Sequence, residues 1–283
     1  MLNNPAILYD PMLCTGCRGC QVACKQWNGL QGESSGWFEG PSYTNPKWIS
    51  ANTWLLLQMH EETILDGKLV WAFTQRRCHH CREASCVSLC PAEPKAASRD
   101  ERGIVAIDPK LCIGCGTCVE NCPFEAPKLS DEYDIARKCT MCIDRQKVGL
   151  KPACATTCVT GATLFGERDE LVKIGQERAR KHKKGVLYGL KEGAGSSVLY
   201  VLPYGREYEG FPEKPEPRTG RIGSLHRRVR PDLRSVPGVG AVALGAMALG
   251  LTRLAERKEM VRREERDKER DKERDKERDK ERE

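Results

Sequence analysis

Sixteen cysteines carry the chemistry legible in this 283-residue chain. They form four groups. The first is Cys14, Cys17, Cys20 and Cys24, and the second is Cys78, Cys81, Cys86 and Cys90. The third is Cys112, Cys115, Cys118 and Cys122, and the fourth is Cys139, Cys142, Cys154 and Cys158. None is left over for a nucleophile or a bridge. Disulfide scaffolds of this density are normally short secreted chains. The opening residues "MLNNPAILYDPM" have neither the basic region nor the apolar run of a secretory signal. Cysteines two residues apart chelate a metal more readily than they bridge across a fold, so thiolate ligation of metal is the expectation.

The groups are written twice. "DPMLCTGCRGCQVAC" (Asp10–Cys24) and "DPKLCIGCGTCVENC" (Asp108–Cys122) share Asp-Pro-x-Leu-Cys-x-Gly-Cys-x-x-Cys-x-x-x-Cys. "RRCHHC", followed by Cys86 and Cys90, is matched by "RKCTMC", followed by Cys154 and Cys158. The gap between the cysteine pairs is short in the first, Arg82–Ser85, and longer in the second, Ile143–Ala153. Groups one and two thus look duplicated as groups three and four.

Cys-x2-Cys-x2-Cys-x3-Cys is similar to the bacterial ferredoxin run. There, three cysteines wrap one [4Fe–4S] cube and the fourth ligates the second cluster of a pair. Gly16, Gly19, Gly114 and Gly116 allow the loops to curl around a cube and aim N–H groups at sulfur. Zinc knuckles pair two separated Cys-x2-Cys units and do not need a third cysteine three residues on. The stretch from Pro91 to Leu111, between groups two and three, resembles the spacing inside a two-cluster ferredoxin. That resemblance implies one cube on Cys78, Cys81, Cys86 and Cys122, and its partner on Cys90, Cys112, Cys115 and Cys118. Elimination leaves Cys14, Cys17, Cys20 and Cys158 for a third, and Cys24, Cys139, Cys142 and Cys154 for a fourth. The expected fold is α+β: two nested ferredoxin-like modules binding four [4Fe–4S] clusters, with a C-terminal apolar helix and a charged tail.

Such clusters leave no iron open to a substrate, and no triad or carboxylate pair stands out elsewhere, so the chain is expected to transfer electrons without a catalytic site. His79 and His80 flank group two, but the cysteines complete the ligand count, which leaves the histidines supporting or interface roles. Arg77, Arg137 and Lys138 are expected to tune cluster potential.

The formal charge of +7 hints at nucleic acid until the cysteines are counted as thiolates. Sixteen thiolates on four cores of roughly +2 each contribute −8, bringing the balance to −1. No nucleic-acid partner is expected.

The positioning elements are legible in outline. "AILYD" (Ala6–Asp10) and "GIVAID" (Gly103–Asp108) read as strands feeding groups one and three. The insertion 25–77 holds a hairpin turning at Asp66-Gly67. Glu167–Lys184 reads as an amphipathic helix, Ser196–Tyr204 as a strand and Phe211–Gly220 as a Pro-rich linker. The divisions are a cluster region over 1–165, an extension over 166–220, a linker and apolar helix over 221–254 and a charged tail over 255–283. Val236–Thr252 carries no charged residue. As a helix it spans about 25 Å, short of the roughly 30 Å hydrocarbon core, so a buried or interfacial helix competes with a membrane span. Ala241/Gly245 and Ala246/Gly250 would let another helix approach closely. The fourfold "DKER" tail has balanced charge and no apolar face.

The cysteine groups, together with "CKQWN", "GKLVW", "RKCTMCIDRQKVGLKPAC" and "SVLYVLPY", resemble the iron–sulfur (beta) subunits of molybdenum and tungsten oxidoreductases, and most closely the formate dehydrogenase branch. The resemblance implies a catalytic alpha subunit bearing a pterin-bound Mo or W. It also implies a C-terminal anchor beside a cytochrome b subunit, which favours the membrane span. Sister dimethyl-sulfoxide, nitrate, polysulfide and thiosulfate reductases share the four-group pattern, and a zinc-stapled binding module is the alternative from another class. The chain departs from the pattern at Val159, where Pro often follows the last cysteine, and in the weakness of its Gly-rich helix. Arg221, Arg227, Arg228, Arg230 and Arg234 precede the apolar stretch. A larger basic set follows it closely: Arg253, Arg257, Lys258, Arg262, Arg263, Arg266, Lys268 and Arg270. The excess on the far side implies a cytoplasmic tail and a periplasmic cluster domain. A wholly cytoplasmic protein is the alternative.

Overall fold

The computed structural model describes residues 2–33, 42–65, 68–130, 132–205 and 211–212, all within one compact unit, Met1–Arg221. The hairpin turn at 66–67, most of the Pro-rich linker, the apolar stretch 236–252 and the "DKER" tail lie outside the described residues. Among the described residues no helix is long and apolar enough to cross a membrane.

In chain order the elements are β1 (Pro5–Tyr9), α1 (Gly19–Trp27), β2 (Leu55–Leu65), β3 (Lys68–Arg77), α2 (Ser85–Ser88), β4 (Ala97–Arg99), β5 (Val105–Ile107) and α3 (Thr117–Glu120). They continue with β6 (Lys128–Ser130), β7 (Ile135–Arg137), α4 (Ile143–Lys147), α5 (Ala153–Thr156), β8 (Thr163–Glu167), α6 (Arg168–Arg180), β9 (Val186–Tyr188) and β10 (Val198–Leu202). The mixture agrees with the expected α+β class.

PAILY and VLYVL, the strands β1 and β10, are apolar throughout and buried at every position. Strands apolar on both faces belong inside a layered sheet. They lie side by side and parallel, Ile7 beside Val198 and Tyr9 beside Tyr200, in a four-stranded sheet ordered β8-β1-β10-β9. The two-residue period then divides the side chains. Ala6, Leu8, Leu199 and Val201 pack under α6 with Leu171 and Ala179. Ile7, Tyr9, Val198, Tyr200 and Leu202 face the opposite way, onto Cys20, Cys24, Met141 and Cys154. One face is covered by a helix and the other by cysteine loops. Gly175 brings α6 close: a Cβ there would stand 2.6 Å from a Leu187 methyl.

α6 is shorter than the expected Glu167–Lys184. Glu167 completes β8, pairing with Pro5, and its carboxylate accepts the N–H groups of Asn3 and Asn4. At the other end Lys181 and His182 donate to Arg178 and Ala179 in tight turns. β8 straddles residue 165 and pairs with β1, and β10 borders β1, so strands from both sides of that division share one sheet.

β2 and β3 pair antiparallel from Leu55↔Arg77 onward, with an irregularity between His60 and Thr63. β3 ends at Arg77, immediately before group two, so the insertion delivers side chains into the cysteine region. β4 pairs with β5 and β6 with β7.

Candidate metal centres

The duplicated motif is a duplicated backbone shape. Asp10 accepts the N–H of Met12 at 3.0 Å through its side chain, and Asp108 that of Lys110 at 2.8 Å. The Asp10 carbonyl takes the N–H of Leu13 at 3.2 Å, and that of Asp108 the N–H of Leu111 at 3.3 Å. Gly16 and Gly114 then turn through left-handed backbone, φ +69° and +70°. At Gly114 the turn is also crowded: a Cβ would lie 2.1 Å from the carbonyl oxygen of Asp134. Groups two and four repeat likewise. The N–H of His80 points at Cys78 Sγ (3.4 Å), and that of Met141 at Cys139 Sγ (3.3 Å), both from residues of positive φ.

The sixteen cysteines are all free. Cys14, Cys17, Cys20 and Cys158 line one small cavity with Tyr9, Gln75 and Thr163. Cys90, Cys112, Cys115 and Cys118 line a second with Ala97 and Ile107. The thiols that interact most strongly with Cys24 are Cys139 and Cys154, followed by Cys142. Those of Cys81 are Cys78, Cys122 and Cys86. Between sets, Cys20 senses Cys154 and Cys86 senses Cys118. Cys17 and Cys115 are exposed, whereas Cys24, Cys139, Cys142 and Cys154 are all buried. A zinc ion gathers its sulfurs to about 2.3 Å of one point. Among the described residues no three His, Cys, Asp or Glu converge on a single ion.

These thiols are costly to ionise without a cation. Burial, reinforced by neighbouring thiols, pushes Cys20 up to about 12. Burial likewise raises Cys86, Cys118 and Cys142 to about 12 and Cys122 to about 11. A metal would displace those protons and supply the missing positive charge. At Cys158 burial pulls upward but is outweighed by the N–H and hydroxyl of Thr163 and the hydroxyl of Thr160, and the thiol is lowered. Further donors already face sulfur: Ala136 N–H to Cys112 (3.4 Å), Thr163 N–H to Cys158 (3.3 Å) and the Gln75 amide to Cys20 (3.4 Å). Gln75 Oε1, Arg77 Nε and Tyr200 Oη are buried without a partner. A four-thiol donor set with N–H groups aimed at sulfur fits an iron–sulfur cluster.

Arg77 and Lys138 are both 3% exposed and lie among the thiols. Burial opposes the Arg77 charge, but Cys154 and Cys139 hold it firmly protonated. Arg137 goes elsewhere: its guanidinium lies 5.5 Å from the ring of Trp54 and 5.4 Å from that of Tyr133, and it donates to Asn52. Arg137 is the last residue of β7, and the next residue, Lys138, is the buried cation of the two.

His79 and His80 are interior. Burial first, and then Arg76 and Arg77, lower His79 to about 3, so it is a neutral ring stacked on Phe124 at 3.7 Å. His80 accepts the Val105 N–H at Nδ1, 3.1 Å. The sequence reading missed Gln75, whose signal was its place two residues before Arg77 on the same strand face. It also missed Phe211, read as the start of a linker. Phe211 is buried, 4.8 Å from both Tyr188 and Tyr200 and under Arg76 at 4.9 Å.

Two models described as 4Fe–4S dicluster domains match residues 13–94 and 69–168, overlapping across group two. Fold and site therefore define a ferredoxin-type 4Fe–4S protein. The iron–sulfur subunit of the nitrate-inducible formate dehydrogenase of Escherichia coli is 37% identical over 219 residues, covering 75% of this chain and 73% of that one. The formate dehydrogenase-O iron–sulfur subunit of the same organism is 38% identical over 222 residues, 75% of this chain and 72% of that one. The formate dehydrogenase iron–sulfur subunit of Haemophilus influenzae is 34% identical over 252 residues, 86% and 77%. The chain belongs to the family of formate dehydrogenase iron–sulfur subunits, and is an electron-transfer subunit of an oxidoreductase.

Proposed function

We propose that this chain holds four [4Fe–4S] clusters in two nested modules and relays electrons from a formate-oxidising subunit with a pterin-bound Mo or W to an acceptor such as a cytochrome b. One module holds a cluster on Cys78, Cys81, Cys86 and Cys122, and another on Cys90, Cys112, Cys115 and Cys118. The other module holds clusters on Cys14, Cys17, Cys20 and Cys158, and on Cys24, Cys139, Cys142 and Cys154. When bound, each cluster takes up and releases one electron, with every iron already four-coordinate.

The observation that carries the reading is one cavity. Cys158 stands with Cys14, Cys17 and Cys20, across nearly the whole cysteine region of the sequence. The chain's own residues do the rest. The loops hold the thiols in sets, and the sheet and β2–β3 hairpin cover the inner cysteines. Backbone N–H groups offset charge on sulfur. The electrostatic interactions of Cys20 with Cys154 and of Cys86 with Cys118 support an order of the sets with the exposed Cys17 and Cys115 loops at the ends. Exposed Met12, Leu13, Val22 and Val159 near the Cys17 loop, and Ile113 near Cys115, suit contact with partner subunits.

Cys158→Ser in the purified complex tests the assignment. Paramagnetic resonance should show a change in the cluster on Cys14, Cys17 and Cys20, with the signals of the groups two and three pair intact. A disturbance at the cluster on Cys112, Cys115 and Cys118 instead rejects the nesting.

For location, the proposal is a membrane-bound complex with residues 236–252 spanning, the tail cytoplasmic and the cluster domain periplasmic. The excess of basic residues after the apolar stretch supports this orientation. Protease added to spheroplasts should cleave the cluster domain and spare a tag after Glu283. Protection of both, with salt or carbonate stripping the protein from membranes, points to the cytoplasmic alternative.

A further inference from the structure

Arg77 and Lys138 occupy matching places in the two repeats, each directly before the first cysteine of its group. Their side chains exchange partners. Arg77 precedes Cys78, yet its guanidinium donates to Cys154 Sγ at 3.4 Å and Cys139 Sγ at 3.6 Å. Lys138 precedes Cys139, yet its ammonium hydrogen-bonds Cys78 and interacts most strongly with Cys78 and Cys86, ahead of Cys139. Its backbone anchors are the carbonyls of Val105 and of Cys139, the latter at 3.1 Å. Val105 also gives its N–H to His80, so one residue of β5 ties His80 and Lys138 together. Both cations are excluded from water, where a charge acts on its neighbours with little screening.

We infer that Arg77 and Lys138 form a crossed pair of cations at the junction of the modules, each raising the reduction potential of the cluster held by three cysteines of the other repeat. Taking up an electron makes a cluster more negative, and an adjacent buried cation stabilises that state. The crossing makes each repeat set the other's potential. Group two carries the cation for the cluster on Cys24, Cys139, Cys142 and Cys154. Group four carries the one for the cluster on Cys78, Cys81, Cys86 and Cys122. Electrons crossing between modules pass between these two. This inference rests on the proposed four ligand sets.

The test is a potentiometric titration of the intact complex followed by paramagnetic resonance. Each inner signal is first assigned by its response to Cys142→Ser or Cys81→Ser. Iron content and the four-cluster signal count of the parent report on the ligand sets alone. In Arg77→Met the cluster answering to Cys142 should shift to lower potential while the one answering to Cys81 holds. In Lys138→Met the assignments reverse, and Arg77→Lys and Lys138→Arg should restore most of each shift. Should a Met variant lose iron, the site emptied first reads out the same crossing: Arg77→Met should empty the Cys142 site and Lys138→Met the Cys81 site. If each variant acts on the cluster adjacent to it in sequence, or on neither, the crossed pair is refuted even with all four clusters present.

Discussion

Asp10 donates its backbone N–H to the carbonyl of Ala162 at 2.8 Å. Asp108 makes the equivalent bond to Ala96, also at 2.8 Å. Both bonds tie the strand entering a ferredoxin-type loop to the strand leaving its partner group: β1 to β8 in one case, β5 to β4 in the other. In the second case the two ends are close in sequence. In the first they are separated by everything between, including the whole of the second pair of groups. The proposed nesting would cost the fold loop-closure entropy, which grows only slowly with loop length.

Asp10 also anchors α6. Its other carboxylate oxygen meets Arg178 at 3.2 Å, with the Asp10 side chain 6% exposed. Asp10→Ala removes the turn cap and the ion pair and should cost about 2 kcal/mol. Asp10→Asn keeps the cap and should cost about half as much. Thermal unfolding of the two variants separates the contributions, and equal losses would mean that the cap contributes nothing.

Gly114 and Gly149 separate backbone strain from crowding. Both have positive φ, +70° and +77°. A Cβ at Gly149 meets nothing within 4 Å, whereas at Gly114 it strikes a backbone carbonyl. Gly149→Ala should cost about 1 kcal/mol. Gly114→Ala should cost several times that and strip iron from the set containing Cys112 and Cys115. Retained iron in Gly114→Ala, measured on the purified complex, would show that the loop relaxes freely.

Gln75 donates to both Cys20 Sγ at 3.4 Å and Thr163 Oγ1 at 2.9 Å. Gln75→Leu keeps the volume and removes the donor to sulfur. The potential of the cluster proposed on Cys14, Cys17, Cys20 and Cys158 should fall, with iron content unchanged. An unmoved potential would reduce Gln75 to a packing residue.

The cysteine rhythm was readable because ligand spacing is local: a loop of three-residue steps must curl the same way wherever it occurs. The strands PAILY and VLYVL were readable from their unbroken apolar runs, although their pairing as parallel neighbours was not, since they lie near opposite ends of the folded unit's sequence. Long-range side-chain choices were illegible for the same reason. Nothing beside Arg77 in sequence marks Cys154 as its partner. Arg137 and Lys138 look alike as neighbouring cations, yet Lys138 is buried and Arg137 lies over Trp54 and Tyr133. Phe211 opens a Pro-rich stretch that reads as a linker, and only the Tyr188–Tyr200 pocket reveals it as an anchor.

Metal analysis of the anaerobically purified chain tests the central claim most directly. Four cubes on sixteen thiolates require about sixteen irons with as many acid-labile sulfides per chain, and no zinc. A value near eight irons with retained zinc would contradict the four-cluster relay.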